Sequence, residues 1–202
     1  MGSQKSRKHK PQRRKPQGKK KLLLAIGFLT VVAIIIGAYY MLGQGSQSQG
    51  KVLLRTTMGD IVIELRNDMP VTSGNFRKLV QQGVYDGTIF HRVIADFMIQ
   101  GGDPTGTGQG DPSIPAIRDE FASNNRNDRG TVAMANAGPN TGSSQFFINV
   151  VNNNYLDSKH PVFGTVIQGM DVVDAISKVT TDANDRPLEE VRIIKAELVP
   201  SA

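Results

Sequence analysis

From Leu22 to Leu42 the chain carries 21 consecutive residues without a charged side chain, and this run divides the rest into two parts that cannot share one core. At a helical rise of about 1.5 Å per residue it spans roughly 31 Å, the thickness of a bilayer's hydrocarbon layer. Thr30 is its one side-chain hydroxyl before Tyr39 and Tyr40, whose amphipathic rings suit the headgroup boundary. The run reads as a single transmembrane signal-anchor helix. The alternative is a cleaved signal peptide, whose apolar core is usually about 7 to 15 residues long with an Ala-x-Ala exit; this run is longer and has no such exit.

Charge supports the same division. Ten of the 24 Lys and Arg residues lie at or before Lys21, and the first acidic residue is Asp60. Residues 1–21 have too little apolar surface to fold and form a basic disordered tail. Cations ahead of the helix place that tail in the cytoplasm and everything beyond Gly43 outside, on a single-pass protein of the cell membrane. The bilayer is thus an expected partner through residues 22–42. Gly43 to Gly50, GQGSQSQG, is a flexible linker with a reach of roughly 15 Å. The remaining domain, 51–202, is long enough for one core. With 14 basic against 18 acidic side chains beyond Lys21, a net charge of −4, it lacks the basic face that nucleic acid requires. No cysteine is present, which removes disulfides, thiolate metal sites and cysteine nucleophiles together.

Within the domain the apolar runs are short and turn signals close. Val52–Thr56 and Ile61–Leu65 read as strands of a hairpin turning near Met58-Gly59-Asp60. Pro70 opens a helix with Phe76, Leu79 and Val80 on its apolar side, and Gly83 ends it. Two strands follow within Thr88–Asp103. Gly101–Pro115, with five glycines and three prolines, is a long loop. Thr131–Ala135, Gln145–Val150, Val162–Ile167 and Val191–Leu198 are further strands, and Met170–Ser177 is a second helix. Many strands and two isolated helices point to an antiparallel barrel or sandwich capped by helices, not to a parallel βαβ sheet.

The stretch TIFHRVIADFMIQGGD, Thr88–Asp103, holds the chemistry. Arg92 lies within an alternating apolar segment, and a permanently charged fork of five donors belongs beside an apolar surface where something is to be held or polarised. Period two puts Phe90, Arg92 and Ile94 on one face and His91 and Val93 on the other. The bland alternative is an edge strand whose arginine reaches water. GGDPTGTGQGD lacks the Lys-Ser/Thr ending of a phosphate loop. His9, His91 and His160 have no metal-ligand spacing, and Ser143-Ser144 does not form a nucleophile elbow. A set of apolar and amide side chains around one arginine remains: Phe97, Met98, Phe147 and Leu156 with Arg92, Gln100, Asn136 and Gln145. Such a groove accepts an extended peptide.

FHRVIADFMIQGGD, MANAGPNTGSSQFFI and YLDSKHPVFGTVIQGMDVVDAI resemble, in order and spacing, three signature segments of the cyclophilin family of peptidyl-prolyl cis-trans isomerases, over nearly all of Lys51–Leu198. The resemblance implies a mainly β fold, an eight-stranded antiparallel β-barrel capped by two α-helices, here preceded by one transmembrane helix, with the groove on the barrel's outer surface. It places the catalytic arginine on Arg92 and the substrate-binding residues on His91, Phe97, Met98, Gln100, Ala135, Asn136, Gln145, Phe147, Tyr155, Leu156 and His160. No metal or cofactor is implied. Proline-containing polypeptides are the expected substrates, exported proteins the expected clients, and a monomer the expected state. The alternative function is a peptide-binding chaperone or scaffold without turnover. Where cyclosporin-sensitive members carry a tryptophan, Tyr155 stands here, so weakened cyclosporin binding is expected. The short Pro/Gly-rich region from Gly102 to Glu120 resembles compact prokaryotic members.

Overall fold

The computed structural model describes residues 50–199; the proposed tail, membrane helix and most of the linker lie outside them. Among the described residues no helix is long and apolar enough to cross a membrane.

Eight strands make one antiparallel sheet. They are β1 (Lys51–Thr56), β2 (Gly59–Leu65), β3 (Arg92–Ile94), β4 (Met98–Gly101), β5 (Thr131–Met134), β6 (Phe146–Asn149), β7 (Val162–Gln168) and β8 (Ile193–Val199), with helices α1 (Pro70–Gln81) and α2 (Met170–Ile176). The spatial order is β3-β4-β6-β5-β7-β2-β1-β8. The expected barrel is therefore a curled sheet whose outer strands, β3 and β8, do not pair as a ladder. Instead the residues ahead of β3 meet the start of β8 and the residues before it: Gly87 N–H donates to the Ile193 carbonyl at 2.8 Å, Ile193 N–H to the Thr88 carbonyl at 2.8 Å, and Phe90 N–H to the Val191 carbonyl at 2.9 Å.

The first hairpin turns on Thr57-Met58, one residue earlier than its sequence suggests, because Thr56 pairs with Gly59. Pro70 begins α1 with no acidic residue in the first turn. The carboxylate of Glu120 accepts the N–H groups of Val71 and Thr72, 49 and 48 residues away, each at 3.0 Å, supplying the N-terminal anion that the helix itself lacks. The helix seats Phe76 in the hollow of the sheet, 4.8 Å from Tyr85, 5.3 Å from Phe146 and 5.0 Å from Phe163 between ring centroids. Each such buried ring contributes about 1.5–3 kcal/mol by leaving water. Burial raises the pKa of Tyr85 well above its usual value, and its neutral hydroxyl donates to the Ser144 carbonyl at 3.1 Å. Gly169, at φ 86°, starts α2, and a Cβ there would lie 2.1 Å from the Asp60 carbonyl oxygen. Only glycine allows strand β2 and this helix to meet so closely.

Two rows of cross-strand partners run side by side over β3, β4, β6, β5 and β7. Val93, Ile99, Ile148, Val132 and Gly164 form one, and the side chains of its first four members lie in the main core. Arg92, Gln100, Phe147, Ala133 and Val162 form the other, on the opposite face. There Met98, Ala133, Phe147 and Val162 make a second, smaller apolar cluster with Ile94, Phe97, Ala135 and Leu156 packed against it. Phe90 departs from the expected alternation. It is buried in the main core with Val93, not beside Arg92, because β3 begins only at Arg92 and residues 90–91 are not strand.

Candidate active site

The outer row floors a hollow of about 250 Å³ whose walls are Arg92, Phe97, Met98, Gln100, Ala135, Asn136, Phe147, Leu156 and His160. Period two in β4 and β6 aims Met98, Gln100 and Phe147 outward while Ile99, Phe146 and Ile148 point into the core. The floor is thus the underside of the same strands that make the core. Leu156 arrives from a single turn of 3₁₀ helix, Asn154–Leu156, that the sequence pattern does not reveal.

Each polar wall is fixed from behind. The Gly108 carbonyl can only accept, so Gln145 turns its Nε2 toward it at 3.0 Å. The Gln145 Oε1 then faces Gln100 and takes its Nε2–H at 2.9 Å. This relay sets the plane of the Gln100 amide and leaves its Oε1 for a ligand. Asn136 donates its Nδ2 to the Lys159 carbonyl at 2.8 Å. His160 stands edge-on to Phe147, with centroids 5.3 Å apart at 80°. Its Nδ1 is 3.1 Å from the Met134 carbonyl, which can only accept and so places the proton on Nδ1. Arg92 donates its Nε to the Asp185 carboxylate at 3.3 Å. Among the described residues both terminal nitrogens of Arg92 are without a hydrogen-bond partner.

Three residues expected in the groove stand outside its walls. Gln145 acts one step back, through Gln100. Tyr155 is 68% exposed and stacks on Phe97, centroids 6.3 Å apart at 18°. His91 is 7% exposed, and its Nδ1 has no hydrogen-bond partner. Burial pushes its pKa below the usual 6.5, against the pull of the Asp103 carboxylate.

Two contributors lay beyond sequence reasoning. Asp185 reaches Arg92 from 93 residues away, and no local pattern marks that pairing. Asp103 organises the glycine loop: one fully buried carboxylate accepts the N–H groups of Thr105 at 2.9 Å, Gly108 at 2.7 Å and Gly110 at 3.1 Å, and the hydroxyl of Thr105. Burial alone would raise its pKa, but the bonds from Thr105, Gly110 and Gly108 outweigh it and hold the group below 3.8. An acid among glycines and threonines was the available signal. Through Gly108, Asp103 also fixes the relay to Gln100.

Fold and hollow together define a β-sheet protein built to seat an extended peptide. The family model for cyclophilin type peptidyl-prolyl cis-trans isomerases matches residues 51–198. Peptidyl-prolyl cis-trans isomerase ppi1 of Schizosaccharomyces pombe is 50% identical over 149 residues, covering 72% of this chain and 96% of that protein. Human peptidyl-prolyl cis-trans isomerase-like 1 is 49% identical over 149 residues, covering 72% and 90%. The crystal structure of a Cryptosporidium parvum cyclophilin type isomerase superposes with a TM-score of 0.71 at 33% identity, over 76% of this chain and 99% of that one. The chain belongs to the cyclophilin family, and its activity is peptidyl-prolyl cis-trans isomerisation.

Proposed function

We propose that Arg92 is the catalytic donor and that the enzyme works on exported polypeptides, tethered to a membrane by Leu22–Leu42. The observation that carries the catalytic part is a guanidinium with two uncommitted terminal nitrogens at the wall of an apolar hollow. An X-Pro bond resists rotation by about 18–20 kcal/mol because the nitrogen lone pair is conjugated with the carbonyl. As the bond twists, that lone pair localises and becomes an acceptor. A donor aimed at the prolyl nitrogen stabilises the twisted state more than either planar isomer, which is the condition for catalysis. Phe97, Met98, Phe147 and Leu156 seat the pyrrolidine ring. The Gln100 amide and the Asn136 main chain hold the peptide on one side, so that the other turns. Shortening a step of about 100 s to about 1 ms requires roughly 7 kcal/mol, within reach of a charged donor and a fixed orientation. A related Cryptosporidium parvum isomerase was solved in the presence of the dipeptide Ala-Pro, which supports a proline-containing ligand here. No metal or cofactor enters this mechanism.

Arg92→Ala in the full chain is expected to lower kcat/KM on a proline peptide by about 10²–10³, or ~3–4 kcal/mol. A rate equal to the unaltered protein's would overturn the role of Arg92.

Support for the membrane part is the uncharged 21-residue run behind ten cations. The full chain should sediment with membranes and resist extraction by carbonate, and deleting residues 22–42 should release it. Protease applied from outside the cytoplasmic membrane should digest the domain; protection there would reverse the orientation. The compact loop between Gly102 and Glu120 and the exposed Tyr155 support the further reading of a small, prokaryotic-like isomerase with weak affinity for cyclosporin.

A further inference from the structure

We infer that Asp185 is a positioning residue that aims Arg92, a step that rests on the assignment of Arg92 as donor. An arginine ends a long flexible stem, and a swinging fork would have to be ordered in each turnover. Three arginine–carboxylate pairs elsewhere among the described residues show what full capture looks like. Glu197 takes Arg55 through two nitrogens at 3.0 and 2.8 Å. Asp68 takes Arg66 at 2.9 and 2.7 Å, and Asp174 takes Arg129 at 2.8 and 2.7 Å. Asp185 instead takes Arg92 through Nε alone, at 3.3 Å. A bond at Nε sets the roll of the guanidinium plane and leaves both terminal nitrogens to face the groove. A two-pronged pair would have occupied one of them.

The carboxylate is itself held in place. Asp185 has φ 64°, a left-handed conformation that Asp, Asn and Gly tolerate and that costs other residues strain. Its carbonyl accepts the N–H of Val93, next to Arg92, at 2.8 Å. Asp182 braces the turn by accepting the N–H groups of Asn184 at 2.8 Å and Arg186 at 2.9 Å. Arg186 then ties it to the glycine loop through the Gly106 carbonyl at 2.7 Å. The turn after α2 thus delivers one acceptor to the back of Arg92 while its main chain grips the same strand. Arg92 and Asp185 are both about two-fifths exposed, so water screens their charges and the function of the pair is orientation.

This predicts which substitutions matter. Asp185→Gly keeps the left-handed turn and removes the acceptor; Asp185→Asn keeps both the turn and an acceptor oxygen. In the full chain in detergent, assayed on a proline peptide, Asp185→Gly should lower kcat about tenfold with KM within about twofold, as lost orientation does. Asp185→Asn should recover to within about threefold of the original kcat, because the hydrogen bond and not the charge sets the aim. In an Arg92→Ala background Asp185→Gly should change nothing further. An unaltered kcat in Asp185→Gly, while Arg92→Ala is impaired, overturns the positioning role and leaves the donor intact. Equal impairment in Asp185→Asn and Asp185→Gly, or an undiminished cost in the Arg92→Ala background, also overturns it and makes the turn merely structural. If Arg92→Ala is itself unimpaired, the donor assignment falls first.

Discussion

The two adjacent rows across β3, β4, β6, β5 and β7 are one residue apart in the chain and opposite in purpose. Val93, Ile99, Ile148 and Val132 are aliphatic and at most 2% exposed, in the same core as Phe76 of α1. Arg92, Gln100, Phe147 and Ala133 stand on the other face of the same backbone, where Ala133 and Phe147 are 0% and 4% exposed within the smaller cluster and Arg92 and Gln100 border the hollow. Burial on one face fixes the register, since a slip by one residue would exchange the rows. The site therefore inherits the placement of its strands from the core, while hydrogen bonds to Gln145 and Asp185 hold Gln100 and Arg92.

That dependence can be broken from the core side first. Ile148→Ala deletes a fully buried side chain and should cost about 2–5 kcal/mol of unfolding free energy, read as a lower urea midpoint. While the protein remains folded its kcat/KM should fall less than about threefold, because Phe147 keeps its place on the opposite face. A tenfold loss of activity in a sample still folded by circular dichroism would mean that the rows are not separable.

From the groove side the expected effect is smaller and of the other kind. Phe147→Leu trims the floor under the proline ring and should raise KM about fivefold, or ~1 kcal/mol, with kcat little changed. A selective fall in kcat instead would place Phe147 among the groups that act on the twisted state.

Much of this contrast is legible in the sequence because alternation is a local signal. Arg92 and Gln100, polar residues set in apolar runs, mark one face, whereas Phe146-Phe147-Ile148 is apolar throughout and does not separate its two; Pro70, Gly83 and Gly169 punctuate the helices. Local reasoning fails where the chain leaves the strand or the partner is remote. Phe90 turns inward because strand geometry starts two residues later. Tyr155 and Leu156 share one 3₁₀ turn, in which Leu156 lines the hollow and Tyr155 is exposed. The carboxylates of Glu120 and Asp185 show the other failure, accepting from donors 48 to 93 residues away. Each supplies an acceptor to donors that look complete in their own segments, and only the folded chain shows which donors those are. The sheet was therefore easier to read than the hydrogen bonds that aim its side chains.

His91 offers the finest test, because it precedes β3 beside the glycine loop and belongs to neither row. Its ring is buried, with Nδ1 unpartnered. Burial is the largest influence on its pKa and lowers it from 6.5; Asp103 pulls it back up, and Arg186 and Arg92 push it further down. A folded pKa below the unfolded one means that the unfolded chain binds the proton more readily. The stability from keeping His91 neutral is therefore complete above about pH 6.5 and is lost as pH falls through the folded value. Asp103 also has a depressed pKa, but its stabilisation persists until pH drops below 3.8, so the two contributions occupy separate windows. Urea midpoints measured between pH 7 and 5 should decline for the unaltered protein and decline less for His91→Gln, whatever the variant's absolute stability. The isomerase rate at pH 7 should differ by less than about twofold, since His91 does not line the hollow. Parallel slopes for the two proteins would show that His91 does not titrate with unfolding, and a large loss of rate would return it to the groove.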